Sequence, residues 1–201
     1  KRKVLFEAGH YDYVFVTRLH RVTTALGDLM DHFEESEAEV AHDIKNKSLR
    51  RYVDTRANGG DPELQHYLGD AYRLGLFGYE EDDKKAIHWF EKASEQGYAE
   101  SKTNLAEYLL EGEHIKKDAR RAVDLLDQAA MSGHYEAYCD LALCFLDGDG
   151  VARNQKQGLK YIELAANKGI SRAQRILGCM YYEGEVVDND LSATIRWWER
   201  A

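Results

Sequence analysis

The amino-acid sequence repeats itself. Gly97, Gly133 and Gly169 are spaced by 36 residues, and so are Ala93, Ala129, Ala165 and Ala201. A small column, Ala86, Ala122, Gly158 and Thr194, keeps the same interval. So do two adjacent bulky columns: Trp89, Leu125, Tyr161 and Trp197, then Phe90, Leu126, Ile162 and Trp198. Ahead of each set stands a Leu followed by a small residue, at Leu68-Gly69, Leu105-Ala106, Leu141-Ala142 and Leu177-Gly178, with Tyr72, Leu109, Phe145 or Tyr181 four positions later. The first of these intervals is 37, its extra residue falling in the loop GLFGYEEDD. A period of this length denotes stacked supersecondary units, none of which can bury its apolar face alone.

Each period reads as two helices. Leu64, Leu68, Ala71 and Tyr72 have the spacing of one apolar helical face, and Ala86, Trp89, Phe90 and Ala93 that of a second. We term these the A and B helices. A small residue after each Leu lets the two approach closely, and Gly97, Gly133 and Gly169 fall where a left-handed residue ends a helix. The stretch DGDGVARNQKQG, Asp147 to Gly158, opens like a calcium loop, but its fifth and twelfth positions are Val151 and Gly158, which supply no ligand. It is the A–B turn of the third period. Gly75, Gly112, Gly148 and Gly184 end the A helices; Asp82, Asp118, Asn154 and Asp190, in register, cap the B helices. Tyr79, Ile115, Val151 and Val187 form an apolar plug three residues before the cap.

The expected architecture is therefore all-α, a solenoid of helix-turn-helix units with period 36. Its units cover 61–96, 97–132, 133–168 and 169–201, the last incomplete. Residues 1–60 are less regular. Leu26-Gly27-Asp28 echoes Leu68-Gly69-Asp70, and Leu49, Tyr52 and Val53 align with Ala86, Trp89 and Phe90. This suggests a degenerate repeat over 12–60, its two helices joined by an acidic linker from Asp31 to Asp43; the alternative is an unrelated pair of capping helices.

Composition narrows the function. A net charge of −9 argues against a nucleic-acid binder, and no apolar run reaches the length of a membrane span. Three cysteines without regular pairing suggest reduced thiols and a cytoplasmic protein. Because residue 1 is Lys, not Met, a removed signal peptide and a periplasmic or secreted location stay open. No phosphate loop, nucleophile elbow, dinucleotide fingerprint or paired-cysteine zinc motif is present, which points to neither catalysis, cofactor nor metal.

LGDAYRLG with DDKKAIHWFEKASEQG, GDGV in the third period and LGCMYYEG in the fourth resemble the Sel1-like repeat, a relative of the tetratricopeptide repeat. The resemblance covers residues 61–201. It implies a right-handed solenoid that binds other proteins and, as a rule, has no catalysis of its own. By analogy with the tetratricopeptide pattern, the A helices line a concave groove. The positions five and two before, and two and five after, each Leu face it. These are Glu63, His66, Asp70 and Arg73; Glu100, Thr103, Glu107 and Leu110; Glu136, Cys139, Leu143 and Leu146; and Arg172, Arg175, Cys179 and Tyr182. The groove so drawn is polar at its amino end and apolar at Leu110, Leu143, Leu146 and Tyr182, where a peptide or helix of a partner protein is expected to dock. The implied function is an interaction scaffold or adaptor. Its alternatives are a dedicated inhibitor or immunity protein of one enzyme, and a regulatory repeat domain of a larger enzyme. Trp197 and Trp198 end the pattern without a following helix, which suggests end-to-end self-association through the last helix.

Overall fold

A computed structural model describes residues 35–201, with side chains described from 47 onward. The chain divides into two units, residues 1–52 and 53–201. Among the described residues there are nine α-helices, one short 3-10 turn (Leu76–Gly78) and no strand. Helix α1 spans Glu35–Asn58. The rest alternate as A and B helices: α2 (Pro62–Leu74) and α3 (Asp83–Glu95), α4 (Ala99–Glu111) and α5 (Ala119–Met131), α6 (Ala137–Asp147) and α7 (Gln155–Asn167), α8 (Ser171–Glu183) and α9 (Leu191–Trp198). Each A helix packs on its own B helix, and each B helix on the next A helix. This is a helical-repeat solenoid.

The acidic stretch differs from expectation. Residues 35–43 belong to α1, which runs unbroken for 24 residues, so this part of the run is helix and not linker. No Gly or Pro interrupts Glu35 to Asn58, and many helix-favouring Ala, Glu, Lys and Arg residues lie within it. The echo at Leu26 to Asp28 lies outside the described residues. Within the second unit, the end of α1 behaves as a B helix. Gln65 donates from Nε2 to the Ala57 carbonyl at 3.0 Å, and Gln174 makes the same bond to Ala166 at 3.1 Å, both across eight residues.

The repeated turn rests on three devices. Asp82, Asp118, Asn154 and Asp190 accept backbone N–H groups of the first turn of their B helices. The cap residue's own N–H closes the turn, donating to Tyr72, Leu109, Phe145 or Tyr181 at 2.7–3.0 Å. The terminal glycine of each A helix is left-handed, with φ between 62° and 81°. DGDGV is thus one copy of a turn made four times. Its Asp149 pairs with Lys117 of the preceding turn at 2.7 Å.

The core is the A–B contact and its neighbour. Phe90, Leu126 and Ile162 are wholly buried, as are Leu105, Ala106 and Ala142. Small and large residues are matched across each pair. Gly69 faces Phe90, whose ring carbon would lie 2.5 Å from a Cβ at residue 69, and Gly178 faces the indole of Trp198. Where the B helix carries Leu126 or Ile162 instead, the A helix carries Ala106 or Ala142. In α9 the same columns are open. Ile195 is 55% exposed and Trp198 47%, against 6% for Ile87 and 0% for Phe90.

Gly150 is held by backbone on two counts. Its φ is +77°, and a Cβ there would enter the Ala119 carbonyl at the start of α5. Gly133 has φ +89° but open space around it. Gly133→Ala should cost about 1–2 kcal/mol, the left-handed penalty alone. Gly150→Ala should cost clearly more, read as a larger fall in melting temperature by circular dichroism. Equal losses would show that the turn does not press on α5.

Candidate functional site

The A helices present one face away from their B partners, and the expected groove residues can be placed on it. They separate into three groups. His66, Thr103 and Cys139, two before the Leu, are buried at 7%, 6% and 0%. This corrects their assignment to an open groove: the position lies between stacked A helices. His66 bonds to Ser101 of α4 at 3.0 Å, Thr103 to the Ala99 carbonyl of its own helix at 3.3 Å, and Cys139 packs with Ile162 and Ala173. Burial holds the His66 pKa down, Asp70 opposing, and burial lifts the Cys139 thiol to about 11. Leu110 and Leu146 form a second group, half-buried against the core. Leu146 lies over Gly158 of α7, where a Cβ would clash with it. The rest, among them Asp70, Arg73, Glu107, Leu143, Arg175, Cys179 and Tyr182, keep open surface to varying extent.

The structure adds a column that the tetratricopeptide analogy leaves out. The residue just before each Leu also reaches this face, and it meets the residue two after the Leu of the preceding repeat. Asn104 donates to Asp70 at 3.4 Å. Asp140 acts electrostatically on Glu107. Ile176 and Leu143 line one cleft. The sequence carries this column plainly, as Tyr67, Asn104, Asp140 and Ile176, but its meaning depends on how far one repeat is rotated on the next.

A polar half and an apolar half result. On the polar half, Asp70 bonds Arg73 at 2.7 Å and approaches His66 at 3.3 Å, while Asp140 pairs with Arg172 at 2.7 Å. Glu107 feels the charges of both pairs. Burial first, then the Asp140 charge, push its carboxyl above the usual range; Arg73 and Arg172 pull it back and Glu111 adds to the rise. On the apolar half an open cleft of about 440 Å³ lies between α6 and α8. Leu143, Leu146, Ile176, Met180 and Val186 supply its apolar wall, and Arg172, Arg175, Cys179, Glu183 and Glu185 its polar one. Five expected groove residues, Leu143, Leu146, Arg172, Arg175 and Cys179, therefore meet in one place. Tyr182 does not join them: it is 57% exposed, and its ring lies 6.0 Å from Trp198.

Such a wall, built from successive A helices, is that of a helical-repeat solenoid. Sequence and structure comparisons give the family. The Sel1 repeat profile matches residues 62–98, 99–134, 136–170 and 171–201. The chain belongs to the Sel1 repeat family. Among solved structures it resembles a protective antigen of uropathogenic Escherichia coli strains with a Sel1-repeat fold, 29% identical, TM-score 0.65, over 75% of this chain. It spans only 32% of that protein's length. A Sel1 repeat protein from Oxalobacter formigenes is 22% identical, TM-score 0.68, over 93% of this chain and 82% of its own. An immunity protein from Pseudomonas aeruginosa is 20% identical, TM-score 0.58, over 96% of this chain and 67% of its own. None of the curated proteins matches the chain.

Glu107 gives a pH test. Its proton is held more tightly in the folded than in the unfolded chain, so the ionised form weakens the fold above the folded pKa, and the penalty disappears below the unfolded value of about 4.5. Glu107→Gln should therefore match wild type in melting temperature under acid and exceed it by a few degrees at neutrality. A gap that is constant with pH would mean that Glu107 is fully solvated.

Proposed function

We propose that this chain is a non-catalytic scaffold or adaptor that holds a segment of a partner protein along its A-helix wall. Sel1 repeat proteins are generally protein–protein interaction modules. The observation that carries the reading here is Leu143. It is a large apolar side chain on the wall, it lines the cleft, and among the described residues it belongs to neither of these two buried clusters, unlike Leu110 and Leu146, which pack against them. A half-buried apolar residue lining the cleft with Ile176 and Met180, rimmed by charges, is what a docking site for an apolar side chain requires. Full burial of such an anchor contributes about 1.5–3 kcal/mol. Two or three anchors suffice for micromolar affinity after association costs.

A second reading is that of a dedicated inhibitor or immunity protein masking one enzyme. Its support is the fold shared with the immunity protein from Pseudomonas aeruginosa. End-to-end self-association is a separate proposal, carried by Leu191, Ile195 and Trp198 on the open face of α9. The cytoplasmic reading rests on three unpaired cysteines, Cys139 and Cys144 buried and Cys179 exposed. Among the described residues no helix is long and apolar enough to cross a membrane.

Leu143→Glu tests the wall. Wild type and variant, immobilised side by side, are offered the native cell lysate, and bound proteins are identified by mass spectrometry. The variant should keep wild-type helicity and a melting temperature within a few degrees, and lose the proteins that wild type captures. A folded variant with an unchanged set of captured proteins would place binding elsewhere.

A further inference from the structure

We propose that the cleft between α6 and α8 binds an extended segment of the partner protein that carries an acidic and a basic residue four positions apart around one apolar residue. The proposal rests on the groove reading above and gives the partner its chemistry.

One side of the cleft is a single stripe of α8. Arg172, Arg175, Ile176, Cys179, Met180 and Glu183 all line it, at the spacing of one helical face. Along the stripe the chemistry runs in order: two guanidiniums, an apolar middle, a carboxylate. From α6 come Leu143, Leu146 and Asp147, the last ending α6 as Glu183 ends α8. Glu185 follows just past α8. The basic end is peculiar to this repeat. The residue five before the Leu is Glu63, Glu100 or Glu136 in the first three repeats and Arg172 in the fourth. A glutamate suits the start of a helix and an arginine opposes the dipole there, so the stability of α8 does not account for the change.

The charges at both ends are incompletely matched within the chain. Arg172 is engaged by Asp140 at 2.7 Å, which leaves the basic end with the charge of Arg175. At the acidic end Arg153 donates from Nε to the Leu146 carbonyl at 2.8 Å. Its single charge stands against Asp147, Glu183 and Glu185. Among the described residues none of Arg175, Asp147, Glu183 and Glu185 is in an ion pair, and all four are exposed, so a docking segment can reach them. Arg175 and Glu183 cannot neutralise each other, because eight residues of helix hold them about 12 Å apart. The size of the cleft selects an extended chain. Its volume of about 440 Å³ takes one or two side chains. The body of a helix over the same length needs roughly 900 Å³. In an extended chain residues i, i+2 and i+4 face one side and span about 13 Å. Residue i+2 then lies over Leu143, Ile176 and Met180, while an acidic residue meets Arg175 and a basic one meets Glu183 and Glu185.

The test uses random dodecapeptides displayed on phage and selected on the intact chain. Selected peptides should share an acidic and a basic residue four positions apart with an apolar residue midway. Binding is then measured by fluorescence anisotropy of synthetic peptides. Replacing the acidic residue of a peptide by Lys should weaken binding to wild type about tenfold or more, and Arg175→Glu should restore it. Replacing the basic residue by Glu should weaken binding as much, and Glu183→Lys with Glu185→Lys should restore it. Helicity should be unchanged in both variants. Selected peptides without the shared triplet, or charge-changed peptides that the matching variants bind no better than wild type does, would overturn this inference. The groove reading would survive that result if Leu143→Glu still abolished binding. If instead Leu143→Glu leaves binding intact, or no peptide is selected, the groove reading falls and this inference with it.

Discussion

Everything in the second unit depends on how closely an A helix can approach its B helix. That approach is set by one contact repeated along the chain, a small residue of the A helix against a large one of the B helix. Gly69 admits the ring of Phe90 and Gly178 the indole of Trp198; Ala106 and Ala142 serve where the opposing residue is Leu126 or Ile162. The combined volume is held roughly constant although neither member is, which is the form of change that packed cores tolerate. Because the A–B spacing is kept in each copy, the next A helix finds the same surface each time, and the repeats stack in register.

Register has a functional consequence. It brings the residue two after one Leu against the residue before the next, so the wall reads as a series of junctions. Asp70 with Asn104, Glu107 with Asp140, and Leu143 with Ile176 occupy equivalent sites and differ only in chemistry. The scaffold is thus indifferent to what these positions carry, and they can specialise for a partner without disturbing the core. The turns work in the opposite sense. Their glycines, caps and plugs recur because backbone geometry demands the same residue types each time.

This difference explains what could be seen in the sequence. Glycine positions, N-caps and the Leu-small columns follow from local rules, and the period multiplies each signal by four. The face of the wall was legible in part. Leu143 keeps part of its surface open, and so does Arg175, which has no described A helix stacked beyond it. His66, Thr103 and Cys139 are instead buried between A helices, because the rotation between successive repeats turns their position inward, and a linear pattern does not encode that rotation. Asn104, Asp140 and Ile176 were missed for the same reason. The helical character of residues 35–43 escaped because charge density was read as solvated linker, whereas glutamates interspersed with alanines are also good helix formers.

The most direct test of the packing constraint is a double-mutant cycle of Gly69→Ala and Phe90→Leu, read as unfolding free energy in denaturant. The helix-propensity gain of alanine and the cavity left by a smaller side chain each belong to one substitution and cancel in the cycle. What is left is the fit between the two residues. The account predicts a coupling of about 1 kcal/mol or more in favour of the double variant, which recreates the Ala106 and Leu126 pairing of the second repeat. Additivity within about 0.5 kcal/mol would contradict it and would mean that residue 69 is small for reasons unrelated to Phe90.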